Sequence, residues 1–335
     1  MHLAPGSLTS PAFALGSLAA PAWLTGTALW LNMGALALLI FGVVFTLKKH
    51  QPTPTGADRI IRFGPAFFTI SLAFFGMQHF ALFDVVRFAV PPWMPWTAFW
   101  TYFVGAALIA ACISILTGIK ADLAALLLGI MFVLFVLMLH LPNLIQNPHD
   151  RFALSPLLRD LAYSGGAFSL AATIGFASMQ IARRWLALIA RWLVAIPLLY
   201  FGVEQFLHPE FAPGVPLEML MPAWIPGHMV WAWLTGAVLV GGGACMLLSK
   251  TARTAATVVG VAYLLLVVCI YLPMEFVHPS TEISGELDYI ADTLAMSGAA
   301  LLVAGALTAS VSRMDRSPQA PLASPTVGLS PRSLR

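Results

Sequence analysis

Apolar runs of roughly twenty residues, almost free of charge, recur along the whole chain, and nothing constrains its folding more. A segment crossing hydrocarbon must bond every backbone N–H and C=O internally, and a helix of about 20 apolar residues does so across a bilayer. Nine such runs are predicted as spans: 22–47, 60–81, 96–118, 121–142, 158–181, 186–207, 228–249, 253–274 and 289–311. The expected fold is therefore all-α, a polytopic membrane protein of about nine transmembrane helices embedded in a lipid bilayer. With 59% hydrophobic and 9% charged residues among 335, a soluble domain is excluded. The formal charge of +3 is small and its cations gather at helix ends, so a nucleic-acid partner is excluded as well. Arg191 lies inside the sixth apolar run, about two turns beyond Arg183 and Arg184, and is expected to snorkel toward their interface.

Lys and Arg are retained in cytoplasmic loops, so their distribution predicts orientation. Nine spans place fourteen of the seventeen on one side and only Arg87, Arg151 and Arg159 on the other. The pattern of an inner (plasma) membrane protein with its N-terminus outside and its C-terminus cytoplasmic follows. Residues 1–21 then form an outer segment without a cationic stretch. Residues 22–58 supply a first helix, ending at Lys48 and Lys49, with its cytoplasmic loop, and read as an anchor rather than a cleaved signal. The Pro- and Ser-rich segment 312–335 is predicted to be a disordered cytoplasmic tail. Eleven of fourteen acidic residues fall on the outer side, as do His79, His140, His149, His208, His228 and His278, so any chemistry is expected there.

The chain also repeats itself. Pro91-Pro92-Trp93-Met94-Pro95, followed by Trp100 and Gly105, returns as Pro222-Ala223-Trp224-Ile225-Pro226, followed by Trp231 and Gly236. The same offset of 131 pairs Gly129 with Gly260 and Leu141-Pro142 with Leu272-Pro273. Smaller shifts pair Phe75-Gly76 with Phe201-Gly202 and Ser164-Gly165 with Ser297-Gly298. Two parallel four-helix modules are predicted, at 59–182 and 183–311, with the first helix outside both.

A four-helix unit whose first helix ends on Gly and aromatic residues, followed by a short P-x-W-x-P loop and a second helix bearing Trp and Gly, resembles the DoxX family of small membrane proteins. Here the unit is duplicated in tandem, and the resemblance covers roughly residues 59–311. It implies a membrane subunit with redox or quinone association, since the family includes proteins linked to thiosulfate:quinone oxidoreduction and to membrane oxidoreductase complexes. A periplasmic or membrane oxidoreductase subunit is the implied partner.

The candidate site lies where the first helix of each module meets the outer surface. Gln78 and His79 correspond to Glu204 and Gln205, and Phe80 to Phe206, with His208 just beyond. Polar groups there could hydrogen-bond a quinone carbonyl, or let Glu204 and His79 relay its proton outward; equally, they could cap helices and meet lipid headgroups. Trp93 and Trp224, stiffened by flanking prolines, are candidate pocket covers, although interfacial Trp belts are the commoner explanation for such residues.

Other chemistries lack their residues. Neither HExxH nor any Cys-rich or His-x3-5-His spacing is present, so no metal site is expected; an isolated one would require His79 and His140 to meet. Cys112, Cys245 and Cys269 lie within spans, which leaves disulfide exchange at the outer face without a nucleophile. Walker, dinucleotide-binding and G-x-S-x-G motifs are missing too. Three readings remain: a quinone-associated oxidoreductase subunit carrying no cofactor of its own beyond the quinone, a scaffold docking a periplasmic enzyme through the acidic stretch Glu275 to Asp292, and a small-solute transporter. The last is disfavoured by the scarcity of charge at mid-membrane depth.

Overall fold

A computed structural model describes residues 26–49, 54–174, 180–214, 218–248, 250–277 and 285–314. The protein is an all-α polytopic membrane protein. Its long helices are α1 (Gly26–Lys49), α2 (Gly64–Ala81), α3 (Thr97–Thr117), α4 (Ala121–Gln146), α5 (Arg151–Ile174), α6 (Gln180–Leu207), α7 (His228–Leu247), α8 (residues 252–277) and α9 (Gly285–Met314). Among the described residues seven segments are long and apolar enough to cross a membrane, drawn from all of these except α1 and α5.

Local chemistry explains the irregularities, and both repeats share them. In α4 and α8 the α-helix widens into a π-helical turn, at Val136–His140 and Val267–Tyr271, just before Pro142 and Pro273. Proline offers no N–H and its ring crowds the carbonyl four residues back, here Met138 and Cys269, so the wider turn relieves the clash. Helices α3 and α7 each follow a left-handed residue, Trp96 at φ 60° and Gly227 at φ 73°. Glycine adopts that conformation freely, whereas Trp96 does so against its Cβ.

The fifth run differs most from expectation. The apolar pattern predicts it over 158–181, but α5 begins at Arg151, takes Pro156 within its second turn and ends at Ile174. Charge at Arg151, Arg159 and Asp160 obscures the N-terminal half of this helix in the sequence, yet each of these side chains finds an ionic partner once the helices pack. Residues 1–21 and 175–179 lie outside the described residues, as does the proposed tail 312–335 from residue 315 onward; its first three residues instead continue α9, which runs to Met314.

Packing joins the repeats into one closed body. Neighbours in sequence pack in order from α2 to α9, and α9 then closes the ring against α2. The last helices of the two repeats, α5 and α9, pack on each other across the middle, and each also packs against the first helix of the other repeat, α5 on α6 and α9 on α2. Helix α1 lies outside, against α2. Burial follows this plan: 78% of the Leu287–Leu307 window is buried but only 28% of that in Ala121–Gln146. One continuous core, including Phe68, Tyr163, Leu198, Phe201, Tyr263, Tyr271 and Leu301, runs through both repeats.

The repeat is visible in individual contacts. Ser164 Oγ donates to the Gly129 carbonyl at 3.0 Å, and Ser297 Oγ to the Gly260 carbonyl at 2.7 Å. Gly76 and Gly105 face each other so closely that a Cβ on Gly76 would lie 2.8 Å from the Gly105 carbonyl oxygen; a Cβ on Gly236 would lie 2.9 Å from that of Gly202. These glycines let α2 approach α3, and α6 approach α7, to backbone contact.

Candidate functional site

The two halves of the predicted site are separate. In the first repeat Gln78 Nε2 donates to Asp288 Oδ1 on α9, while His79 shares a 2.7 Å hydrogen bond with the Phe75 carbonyl one turn back and packs its Cβ over Gly105. In the second repeat Glu204 is buried and faces α5, with Arg151 Nη1 3.6 Å from its Oε2. Gln205 is fully enclosed, and neither its amide oxygen nor its nitrogen has a hydrogen-bond partner among the described residues. Trp93 is 66% exposed and Trp224 is 39% exposed. His79 and His140 do not meet, because His140 Nε2 bonds Asp160 Oδ2 at 2.9 Å. Among the described residues no three His, Cys, Asp or Glu side chains converge to hold a metal ion.

Around Glu204 the helices form a small cavity of about 10 Å³ lined by Arg151, Phe152, Ser155, Tyr200, Phe201, Glu204 and Glu218. Helix α5 supplies the first three, with Arg151 four and Phe152 three residues before Ser155, spacings that share a face; α6 supplies the next three by the same spacing. Glu218 arrives from the loop between α6 and α7, which is held by an antiparallel bridge between Phe211 and Leu220 and by hydrogen bonds from Ala212 N to Met219 O and Met221 N to Glu210 O. Arg151 lies over the rings of Phe152 and Phe211, at 4.3 and 4.5 Å, and this fixes its charge at the pocket mouth. Tyr200 interacts with Glu204 through its hydroxyl. Burial pushes the Glu218 carboxyl up from the ordinary range; Arg159 and Arg151 pull it down, and Asp292 pushes it up again.

One hydroxyl in this pocket is unsatisfied. Ser155 Oγ is buried, lines the cavity and has no hydrogen-bond partner among the described residues. Left unpaired, a buried hydroxyl costs on the order of 1–3 kcal/mol, so a group able to reach it is favoured in this space.

Below the pocket, where α5 crosses α9, Arg159 Nη1 meets Asp292 Oδ2 at 3.1 Å, Tyr163 donates to Asp292 Oδ1, and Arg159 Nε lies 3.6 Å from Asp160 Oδ1. Asp160 then pairs with His140, so a line of polar contacts runs from α9 through α5 to α4. Sequence reasoning places Arg159, Asp160 and Asp292 at the outer side without joining them, and does not identify Ser155 or Tyr200. The signal that could have joined them is the repeat itself: an offset of 133, which pairs Ser164 with Ser297, also pairs Arg159 with Asp292. The acidic stretch assigned to partner docking is partly consumed inside the protein, because Glu275 and Asp292 are buried and Asp288 holds Gln78. His278 and Glu282 lie outside the described residues.

Chemically, the cavity offers two carboxyl groups, a guanidinium and two hydroxyls beside two phenyl rings, a set able to hydrogen-bond an oxygen-bearing group that reaches it. No family model, no curated protein and no solved structure matches this chain.

Proposed function

We propose that the chain is a tandem DoxX-like protein of the inner membrane that serves as a quinone-associated accessory subunit of a membrane oxidoreductase. In this reading the N-terminus is outside, the C-terminus is cytoplasmic and the pocket around Glu204 opens to the outer face. What carries the proposal is the unsatisfied Ser155 hydroxyl beside Glu204, Arg151 and Tyr200 in a pocket walled by Phe152 and Phe201. A quinone head group is a planar ring with oxygens at opposite ends. Arg151 and Ser155 donate to such oxygens, Glu204 accepts from the hydroxyl form, and the phenyl rings hold the plane. Electrons are exchanged with a partner enzyme; this chain contributes binding and proton handling.

The test is purification from the native membrane in mild detergent, with mass spectrometry of bound small molecules and proteins. Bound quinone is expected in the wild type. Glu204→Ala, inserted normally, should retain about tenfold less, the effect of one lost charge-assisted hydrogen bond. Equal quinone in both proteins rejects the assignment of Glu204. A stoichiometric partner enzyme without any quinone favours the scaffold reading instead.

A further inference from the structure

We propose that His208 carries protons between the Glu204 pocket and the aqueous phase at this end of the protein. The observation is a row of ionisable groups leading out of the cavity. Glu204 Oε2, almost wholly enclosed, lies 3.9 Å from His208 Nε2; His208 Nδ1 on the far edge of the ring lies 3.4 Å from Glu210 Oε1; and the Glu210 side chain is 52% exposed. A small side-chain rotation brings the longer gap to hydrogen-bond distance, and such contacts are commonly loose before a ligand binds.

The surroundings hold the ring in this orientation. His208 follows the last turn of α6, its backbone N–H donating to the Glu204 carbonyl at 2.8 Å, and it meets Phe211 edge to face with centroids 6.1 Å apart. Phe211 is itself held under the Arg151 guanidinium. The charged and titratable groups facing the row are Arg151 from α5, Tyr200 from α6, and Glu210 and Glu218 from the loop. The Arg151 guanidinium has donors but no acceptor and cannot relay, and Tyr200 is directed at Glu204 rather than outward. Imidazole, with one protonatable nitrogen on each edge and an ordinary pKa near neutrality, is the group suited to the transfer.

The other repeat lacks this row. At the offset of 126 that pairs Gln78 with Glu204, Leu82 stands where His208 does and Asp84 where Glu210 does. Asp84 instead forms an exposed pair with Arg87 at 3.6 Å. Duplication therefore produced one wired pocket rather than two.

For a hydroquinone in the pocket, a function that rests on the reading above, the ring O–H bond breaks and its proton passes to Glu204. The Glu204 O–H bond then breaks as His208 Nε2 takes the proton, and the Nδ1 proton leaves to Glu210 or water. Uptake reverses each step, and no electron moves through these residues.

The experiment uses the full-length protein without ligand, so that it stands apart from the identity of the substrate. Time-resolved infrared spectroscopy after a pH jump across the carboxylate range follows the Glu204 band, assigned by its loss in Glu204→Gln. In His208→Gln the band should respond about a hundredfold more slowly, and added imidazole should restore the rate. Equal rates in wild type and His208→Gln, or a Glu204 band in the wild type that never responds, overturn the relay. Binding of a short-chain hydroquinone is measured in parallel. Its failure to bind while the relay rates hold overturns the quinone reading alone.

Discussion

Glu218 and Glu204 line one pocket under different constraints. Glu204 has Arg151 at 3.6 Å and sits at the end of a packed helix, whereas Glu218 is carried on a loop and is pushed toward its neutral form by burial. A carboxyl whose folded pKa is raised binds its proton more firmly in the folded than in the unfolded state. Its contribution to stability is complete below the ordinary carboxylate pKa and is lost as pH rises through the raised value. Glu218→Gln, which mimics the protonated form, should therefore flatten the fall in thermal stability with rising pH across that window. The check is a series of melting temperatures in detergent; parallel wild-type and variant curves would reject it. Glu204 was accessible from sequence because the repeat aligns it with Gln78. Ser155 and Tyr200 carried no such mark, since a serine and a tyrosine in apolar helices are ordinary until packing shows what they face.

The crossing of α5 and α9 is where single elements decide the architecture. Gly165 allows α5 to approach α6, since a Cβ there would lie 2.7 Å from the Ala190 carbonyl oxygen, and Gly298 holds the matching position on α9 against Phe68 of α2. Between the two helices, equivalent positions of the repeat carry opposite charges, Arg159 and Asp292. Two identical copies would place like charges together here, so the fused protein favours pairing between its own unlike halves. Removing one member leaves the other enclosed without its main partner, and a broken buried pair typically costs about 3–5 kcal/mol. Asp292→Leu should lose stability on that scale, and Arg159→Met/Asp292→Leu should recover most of it, as read from reversible unfolding in mixed micelles. A double variant as unstable as the single one would show that the pair does not couple the helices. Helix α5 starts seven residues before its predicted run, across a stretch that carries Arg151 and Pro156; the partner of Arg159 lies more than a hundred residues away.

For the whole molecule, the closed ring makes the two repeats interdependent, because the last helix of each completes the packing of the first helix of the other. Its two ends differ. Glu204, His208, Glu210 and Glu218 share one end with the P-x-W-x-P loops, while Lys120, Arg183 and Arg253 lie at the other. The proposed orientation predicts that a membrane-impermeant thiol reagent labels Glu210→Cys in intact cells, and labels Lys120→Cys only after the membrane is opened. The reverse pattern would invert the protein and place the pocket on the cytoplasmic side. The repeats keep the same π-helical turns and glycine contacts but different polar residues, so the scaffold is symmetric and the pocket is not.

By itself the sequence determined the all-helical membrane class, the repeat and the correspondence of Glu204 with Gln78, because backbone bonding in hydrocarbon and the spacing of Gly, Pro and Trp are local properties that composition and periodicity record. Tertiary structure alone decided that α5 and α9 pack at the centre, that Arg159 meets Asp292, that Gln78 and Glu204 belong to separate environments, and that Ser155 has no hydrogen-bond partner among the described residues beside Glu204. Each of these depends on which faces of helices far apart in the chain meet. Helices that are apolar on nearly every side carry little in their residue pattern to say which face that will be.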